Sequence, residues 1–229
     1  MIKLAILGST GKTGSFIPKL IETQYSKKIK LVALLGRESK GSDLKACDGV
    51  IEFSSPAVCL KLMKDSPTSV FWVIGSTGWT ASETSELESL AMSRLVLKSS
   101  NFSLGVTILN EWIKNSSHIL KNLGFTVSIE ETHHTKKKDS PSGTALLLKK
   151  SLKNIGFTEV PIDSQRQGDV VGDHSVSFTS ANETLKLTHS AKDRSIFAQG
   201  AIEAAQWLAK LKSENPSDVG IKTLILQQN

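Results

Sequence analysis

Two cysteines, one tyrosine and 6% aromatic residues are a sparse allotment for 229 residues. Cys47 and Cys59 share no metal-ligand spacing and no secretory signal is apparent, so a reduced, cytoplasmic setting is expected, without a metal centre. No apolar run approaches the roughly 18 residues that a membrane span needs. Single-strand nucleic-acid binders interleave aromatic and basic side chains, and no such pattern occurs here. Internal repeats and low-complexity tracts are absent too. What remains is a soluble globular composition, 39% hydrophobic and 22% charged, long enough for one large domain or two modest ones. Twenty-eight Lys and Arg against 22 Asp and Glu leave a net charge of +6. That balance suits anionic partners, or simply solubility.

The first hundred residues alternate apolar runs with helical spacing. Residues 2–7, 30–35, 50–53, 70–74 and 95–97 read as buried strands. Helices are expected at 12–25, 56–64 and 82–92. Such alternation implies an α/β fold, a Rossmann-like doubly wound parallel sheet with right-handed crossovers. After about residue 105 the pattern changes. A helix near 106–122, an alternating strand at 126–131 and a helix of about a dozen residues following Pro141 precede two alternating runs, 175–180 and 184–190. These runs form an antiparallel hairpin and, with the rest, a mixed α+β domain. A helix around 197–211 and a strand at 223–226 return the C-terminal segment to the first domain.

Between the first strand and helix stands Gly8-Ser9-Thr10-Gly11-Lys12-Thr13-Gly14. Glycines let a backbone turn tightly and approach a pyrophosphate, which the free N–H groups of a helix start then hold. A nucleoside-triphosphate loop does not fit, because Gly8 stands only three residues before Gly11. Beyond the second strand, Arg37 and Lys40 suit the 2′-phosphate of NADPH, while Glu38 leaves NADH open. Two further loops follow strands on the ligand-binding edge of such a sheet. They are Gly75-Ser76-Thr77-Gly78 and Ser99-Ser100-Asn101-Phe102-Ser103, whose small polar residues suit a nicotinamide carboxamide.

The densest chemistry lies at Glu131-Thr132-His133-His134-Thr135-Lys136-Lys137-Lys138-Asp139-Ser140-Pro141-Ser142-Gly143-Thr144. Histidine titrates near neutrality and suits a general acid. Adjacent histidines following a strand point to opposite sides, so at most one is expected to be buried. Lys137 could reach the same anion as His133. Pro141 fits the first turn of a helix, with the N–H groups of Gly143 and Thr144 and the hydroxyls of Ser142 and Thr144 turned toward a carboxylate. A non-catalytic dinucleotide sensor would keep the glycine turn without the proton donor. A nucleic-acid module would use Lys136–Lys138 instead.

The run from Glu131 to Ala145 resembles the dihydrodipicolinate reductase (4-hydroxy-tetrahydrodipicolinate reductase) family of the diaminopimelate–lysine pathway. The resemblance extends to the Gly8–Gly14 turn, Phe53-Ser54 with Pro56, Gly75–Gly78, Ser100–Gly105, Arg166 with Gly168, Val171-Gly172 with His174, and Phe197-Ala198 with Gly200-Ala201. It implies a dinucleotide-binding domain over 1–104, joined by 197–229, and a substrate-binding and oligomerisation domain over 105–196. It implies His133 as general acid and Lys137 as partner of the substrate's charge. His134, Lys137, Gly143 and Thr144 would hold two carboxylates, and Gly75, Thr77 and Ser99–Phe102 would meet the nicotinamide. A small dicarboxylate substrate and a homotetramer are implied as well. The chain departs from the family pattern in lacking an acidic residue at Leu35-Gly36, in carrying Glu52 in place of Asp, in the extra Lys136 and in a trimmed region between strands two and three. The reading requires the His133 imidazole to face the cleft onto which the glycine turn opens.

Overall fold

The computed structural model describes residues 1–222; the strand expected at 223–226 lies outside them. The chain forms two compact units. Of the described residues, one comprises Met1–Phe102 and 194–222, the other Ser103–Asp193.

The first unit is a six-stranded parallel sheet. Its strands are β1 (Ile2–Leu7), β2 (Ile29–Leu35), β3 (Gly49–Glu52), β4 (Phe71–Ile74), β5 (Leu95–Lys98) and β10 (Gly220–Lys222), in the order β10-β5-β4-β3-β1-β2. The chain winds outward in both directions from β1 and β3, which places a topological switch point between them. Both faces are covered, so the strands read as nearly continuous apolar runs. Leu4 and Ile6 face a core with Ile17, Ile21, Ala201, Ala205 and Leu208, from helices α1 (Phe16–Leu20, continuing as a π-turn through Ile21–Tyr25) and α6 (Ser195–Glu214). Ala5 and Leu7 face the opposite core, with Cys59, Leu60, Met63 and Leu87 from α2 (Pro56–Asp65) and α3 (Ala81–Ala91).

Helix α1 begins at Phe16 instead of residue 12. Residues 11–15 are spent on tight turns, with Ser15 N–H donating to the Gly11 carbonyl and Phe16 N–H to that of Thr13. Pro18 then falls in the first helical turn, where its missing N–H removes nothing.

The second unit is a mixed four-stranded sheet, β7-β6-β8-β9, built from β6 (Thr126–His133), β7 (Ile162–Arg166), β8 (Gly172–Thr179) and β9 (Thr184–Ala191). β7 runs parallel to β6, whereas β8 and β9 form the antiparallel hairpin. Helices α4 (Leu104–Asn122) and α5 (Gly143–Ile155) cover one face, burying Ile113, Val127, Ile129, Leu148, Val176 and Phe178. Helix α5 opens at Gly143 with Ser142 as its cap, so Pro141 precedes the cap and does not occupy the first turn.

Candidate functional site

In the first unit the predicted glycine turn sits at the carboxyl end of β1. Gly8 has φ +91°, a conformation that side chains resist, and a Cβ there would lie 2.6 Å from the Phe53 carbonyl oxygen. A Cβ at Gly14 would collide with the Gly8 carbonyl. Among the described residues, the N–H groups of Lys12, Thr13 and Gly14 make no backbone hydrogen bond, leaving donors for an anion. A cleft of about 380 Å³ opens at this edge. It is lined by Gly8, Thr10 and Gly11 from the turn, by Arg37 beyond β2, and by Phe53, Ser54 and Ser55 beyond β3. Ser9, Lys12, Thr13 and Gly14 complete the turn without lining this cleft. A backbone approach that only glycine permits, next to free N–H groups and an arginine, fits a dinucleotide pyrophosphate.

The other predicted nicotinamide contacts divide in two. Thr77 and Ser100 are exposed, and Asn101 is half-buried. The Phe102 ring is buried and packs edge-on against Phe53 at 5.8 Å, which makes it part of the core. The Ser76 hydroxyl donates to the buried Glu52 carboxylate at 2.6 Å. The Ser99 hydroxyl donates to the Asn101 carbonyl at 2.6 Å. Neither side chain is free to turn elsewhere without breaking these bonds.

In the second unit, strand alternation carries Glu131 and His133 onto the helix-covered face of β6, both buried; His134, outside the strand, is half-buried. Strand register places His174 across from Glu131, and Arg166 beside His133. The Glu131 carboxylate anchors the group. One of its oxygens receives the Arg166 guanidinium through both terminal nitrogens, at 3.3 and 3.2 Å, and the Ser142 N–H at 3.1 Å. The other oxygen lies 2.8 Å from His133 Nδ1, an ion-pair distance at an angle off the hydrogen-bond direction, and 3.9 Å from His174 Nε2. Burial pushes the Glu131 carboxyl up, but Ser142, the cross-strand neighbour Ser164 and the charge of His133 bring it down to about 2. Burial lowers the His133 imidazole; Glu131 opposes that shift, while Lys137 and Arg166 add to it. His174 is pushed down to about 4, by burial first and then by His133.

Nδ1 of His133 faces the carboxylate, which leaves Nε2 as the nitrogen turned away from it. Gly172 stands beside that atom, and a Cβ there would lie 2.9 Å from Nε2. Lys137 is mostly shielded and pairs with Asp139 at 2.8 Å. The Gly143 N–H sits at the exposed start of α5, whereas Thr144 is buried. Ser142, predicted among the carboxylate-holding groups, is buried, and its hydroxyl is committed. It accepts from Ala145 N–H at 3.2 Å and meets His174 Nε2 at 3.0 Å. The donor atoms of Glu131, His133 and His174 lie within 4.8 Å of one another. Arg166 already opposes the charge of Glu131, which makes the group an ion-pair network more than a metal cage.

Glu131, Arg166 and His174 lay in the sequence motifs without an assigned role. The signal that could have found them is alternation, which sets Glu131 two residues before His133 on one face. The pairing with His174 and Arg166 needs the strand register.

Comparison with known proteins decides the family. The family model described as dihydrodipicolinate reductase, N-terminus, matches residues 2–102, and its C-terminus counterpart matches residues 105–223. The chain belongs to the dihydrodipicolinate reductase family. It is 35% identical to the 4-hydroxy-tetrahydrodipicolinate reductase of Sulfurimonas denitrificans, over 92% of this chain and 94% of that one. It is 37% identical to the enzyme of the same name from Bdellovibrio bacteriovorus, over 92% of each. The solved structure of a dipicolinate-bound dihydrodipicolinate reductase from Paenisporosarcina sp. TG-14 shares the fold, with a TM-score of 0.76 at 19% identity, covering 97% of both chains. This dihydrodipicolinate reductase family member is therefore an NAD(P)H-using oxidoreductase of lysine biosynthesis. No helix among the described residues is long and apolar enough to cross a membrane.

Proposed function

We propose that this chain reduces 4-hydroxy-tetrahydrodipicolinate (dihydrodipicolinate once water is lost) to tetrahydrodipicolinate, with His133 as the proton donor. The observation that carries this reading is the His133 imidazole held by Glu131 at Nδ1, with Nε2 turned away beside the space that Gly172 leaves. A bound nicotinamide supplies the hydride; the protein aligns the reacting carbons and delivers one proton, so that one double bond of the ring is saturated. The Gly8–Gly14 turn holds the pyrophosphate by its N–H groups. Lys137, His134, Thr144 and the Gly143 N–H take the two ring carboxylates. Lys137 would exchange its present partner, Asp139, for substrate. Arrival of a dianion adds negative charge around His133 and raises its proton affinity, so binding itself loads the acid. Glu131 and His174 touch no substrate in this scheme; they orient His133.

NADPH is the favoured cofactor, because Arg37 lines the cleft at the end of β2 and no carboxylate stands at Leu35-Gly36. Gly75, Ser76, Thr77 and residues 99–102 border the nicotinamide, with Ser76 and Phe102 acting through the loops they hold. The outward face of the four-stranded sheet carries Ser128, Glu130, Ser175, Lys186 and Thr188 and no helix of its own unit, and copies would assemble there as a homotetramer. A cytoplasmic location accords with the pathway and the free thiols of Cys47 and Cys59. The test is oxidation of NADPH and of NADH with freshly generated substrate, by the wild type and by His133→Ala. Substrate-dependent oxidation is expected, faster with NADPH and largely lost in the variant. No oxidation with either cofactor, or an undiminished variant, would refute it.

A further inference from the structure

One side chain ties together the loops beyond β3 and β4. Glu52, the last residue of β3, is fully buried. It accepts the N–H and the hydroxyl of Ser54, the latter at 2.7 Å, and the hydroxyl and N–H of Ser76 at 2.6 and 3.3 Å. The tie continues across the sheet edge. Trp79 Nε1 donates to the Ser76 carbonyl at 2.9 Å, and the Lys98 ammonium at the end of β5 sits 4.2 Å over the Trp79 ring. Ser54, held at one end of this chain, lines the cleft beside the glycine turn.

Four donors converge on Glu52, and none of them is charged. An ionised carboxylate has lone pairs for all four and no hydrogen of its own, which no neutral side chain offers. Burying that charge without a cationic partner is unfavourable. A core position needing only bulk would be filled better by an apolar residue, so the carboxylate is explained by what it holds.

We propose that Glu52 is a positioning residue of the cofactor site: by receiving Ser54 and Ser76 together it fixes the two loops that border the dinucleotide, and so sets cofactor affinity. The proposal rests on reading the first unit as the dinucleotide site. In Glu52→Gln, one amide oxygen remains an acceptor while the NH₂ must face a serine pair that is itself donating. The KM and the directly titrated Kd for NADPH should rise about tenfold, the scale of losing charge-assisted bonds. Turnover at saturating NADPH and the KM for the dicarboxylate should hold within about twofold, because the chemistry-bearing groups are elsewhere. Glu52→Asp, which keeps the charge, should recover most of the affinity, and Ser76→Ala should weaken it by less than Glu52→Gln does.

Wild-type NADPH affinity in Glu52→Gln would overturn the proposal, as would equal losses in both KM values and turnover, or an Asp variant no better than Gln. If Glu52→Gln does not fold, unchanged NADPH affinity in Ser76→Ala overturns it. A wild-type chain that binds neither NADPH nor NADH removes the dinucleotide reading and this proposal with it, a result distinct from wild-type binding that Glu52→Gln leaves intact.

Discussion

All five histidines lie between residues 103 and 193, in the second unit, and the described residues of the first unit include none. The glycine-turn unit lines its cleft with glycine backbone, small polar side chains, a few apolar ones and one arginine. The second unit concentrates imidazoles, a carboxylate and a guanidinium on one sheet face. Under the proposed function the division follows the chemistry. A ligand that brings its own reactive hydride needs holding, and N–H groups hold phosphate at any physiological pH. A substrate that must receive a proton needs a group that titrates. The buried carboxylates show the same contrast. Glu52, the more deeply packed, has neutral donors only, and burial raises its pKa; Glu131, beside Arg166 and His133, is brought down to about 2 despite burial. Burial raises both; at Glu131 the Ser142 and Ser164 groups and then the charge of His133 outweigh it, and at Glu52 the serine hydrogen bonds do not.

The sharpest way to break the contrast is His133→Ala. Removing a general acid should lower kcat by about 10²- to 10⁴-fold. NADPH affinity, measured by titration, should stay at its wild-type value, since the proposed cofactor site lies in the other unit. A large loss of cofactor binding in this variant would mean that the two tasks are not divided as argued.

Acid should separate the units next. His174 has its folded pKa lowered from 6.5 to about 4, so its stabilising effect is present above pH 6.5 and is lost as pH falls toward 4. The loss for that one group is of the order of 3 kcal/mol. His133 and His189 are lowered too, and Glu131 adds a further loss between 4.5 and about 2. Hydrogen exchange should show β6 and β8 losing protection before β1 and β4 as pH drops from 6.5 to 4. Parallel loss in both sheets would contradict the assignment.

How much of this was legible in the sequence follows the same division. Strands β1 to β5 could be read directly, because strands buried on both faces are runs of apolar residues. β7 could not, because Ile162-Asp163-Ser164-Gln165-Arg166 is a polar edge strand whose one apolar residue gives no alternation. His133 and Lys137 stand out by residue type. The network around Glu131 does not, since it depends on β6 pairing with β8 some forty residues away. Ser142 and Ser76 show the remaining limit: a sequence offers a hydroxyl but not the direction in which the backbone points it.

Gly8→Ala probes the first unit alone. A Cβ at φ +91° against the Phe53 carbonyl should destabilise by about 1–3 kcal/mol. It should also weaken NADPH binding, while the pH dependence of turnover, which the proposed function assigns to His133, keeps its shape. A thermal melt and a pH–rate profile on the same variant check both halves. A shifted pH profile would tie the glycine turn to the proton donor and blur the comparison.

The smallest effect expected is at Arg37. Its side chain is exposed at the rim of the cleft, so the proposed contact with a 2′-phosphate would be made in water and screened by salt. Exposed ion pairs are worth up to about 1 kcal/mol, which is roughly fivefold in affinity. Arg37→Ala should therefore raise the KM for NADPH by about that factor and leave the KM for NADH unchanged, because NADH has no phosphate to lose. The difference should shrink as salt is added, whereas a contact excluded from water would keep its strength. Equal KM changes for both cofactors would show that Arg37 shapes the cleft instead of reading the phosphate, and preference would then have to be sought at Lys40 or in the Ser54–Ser55 backbone.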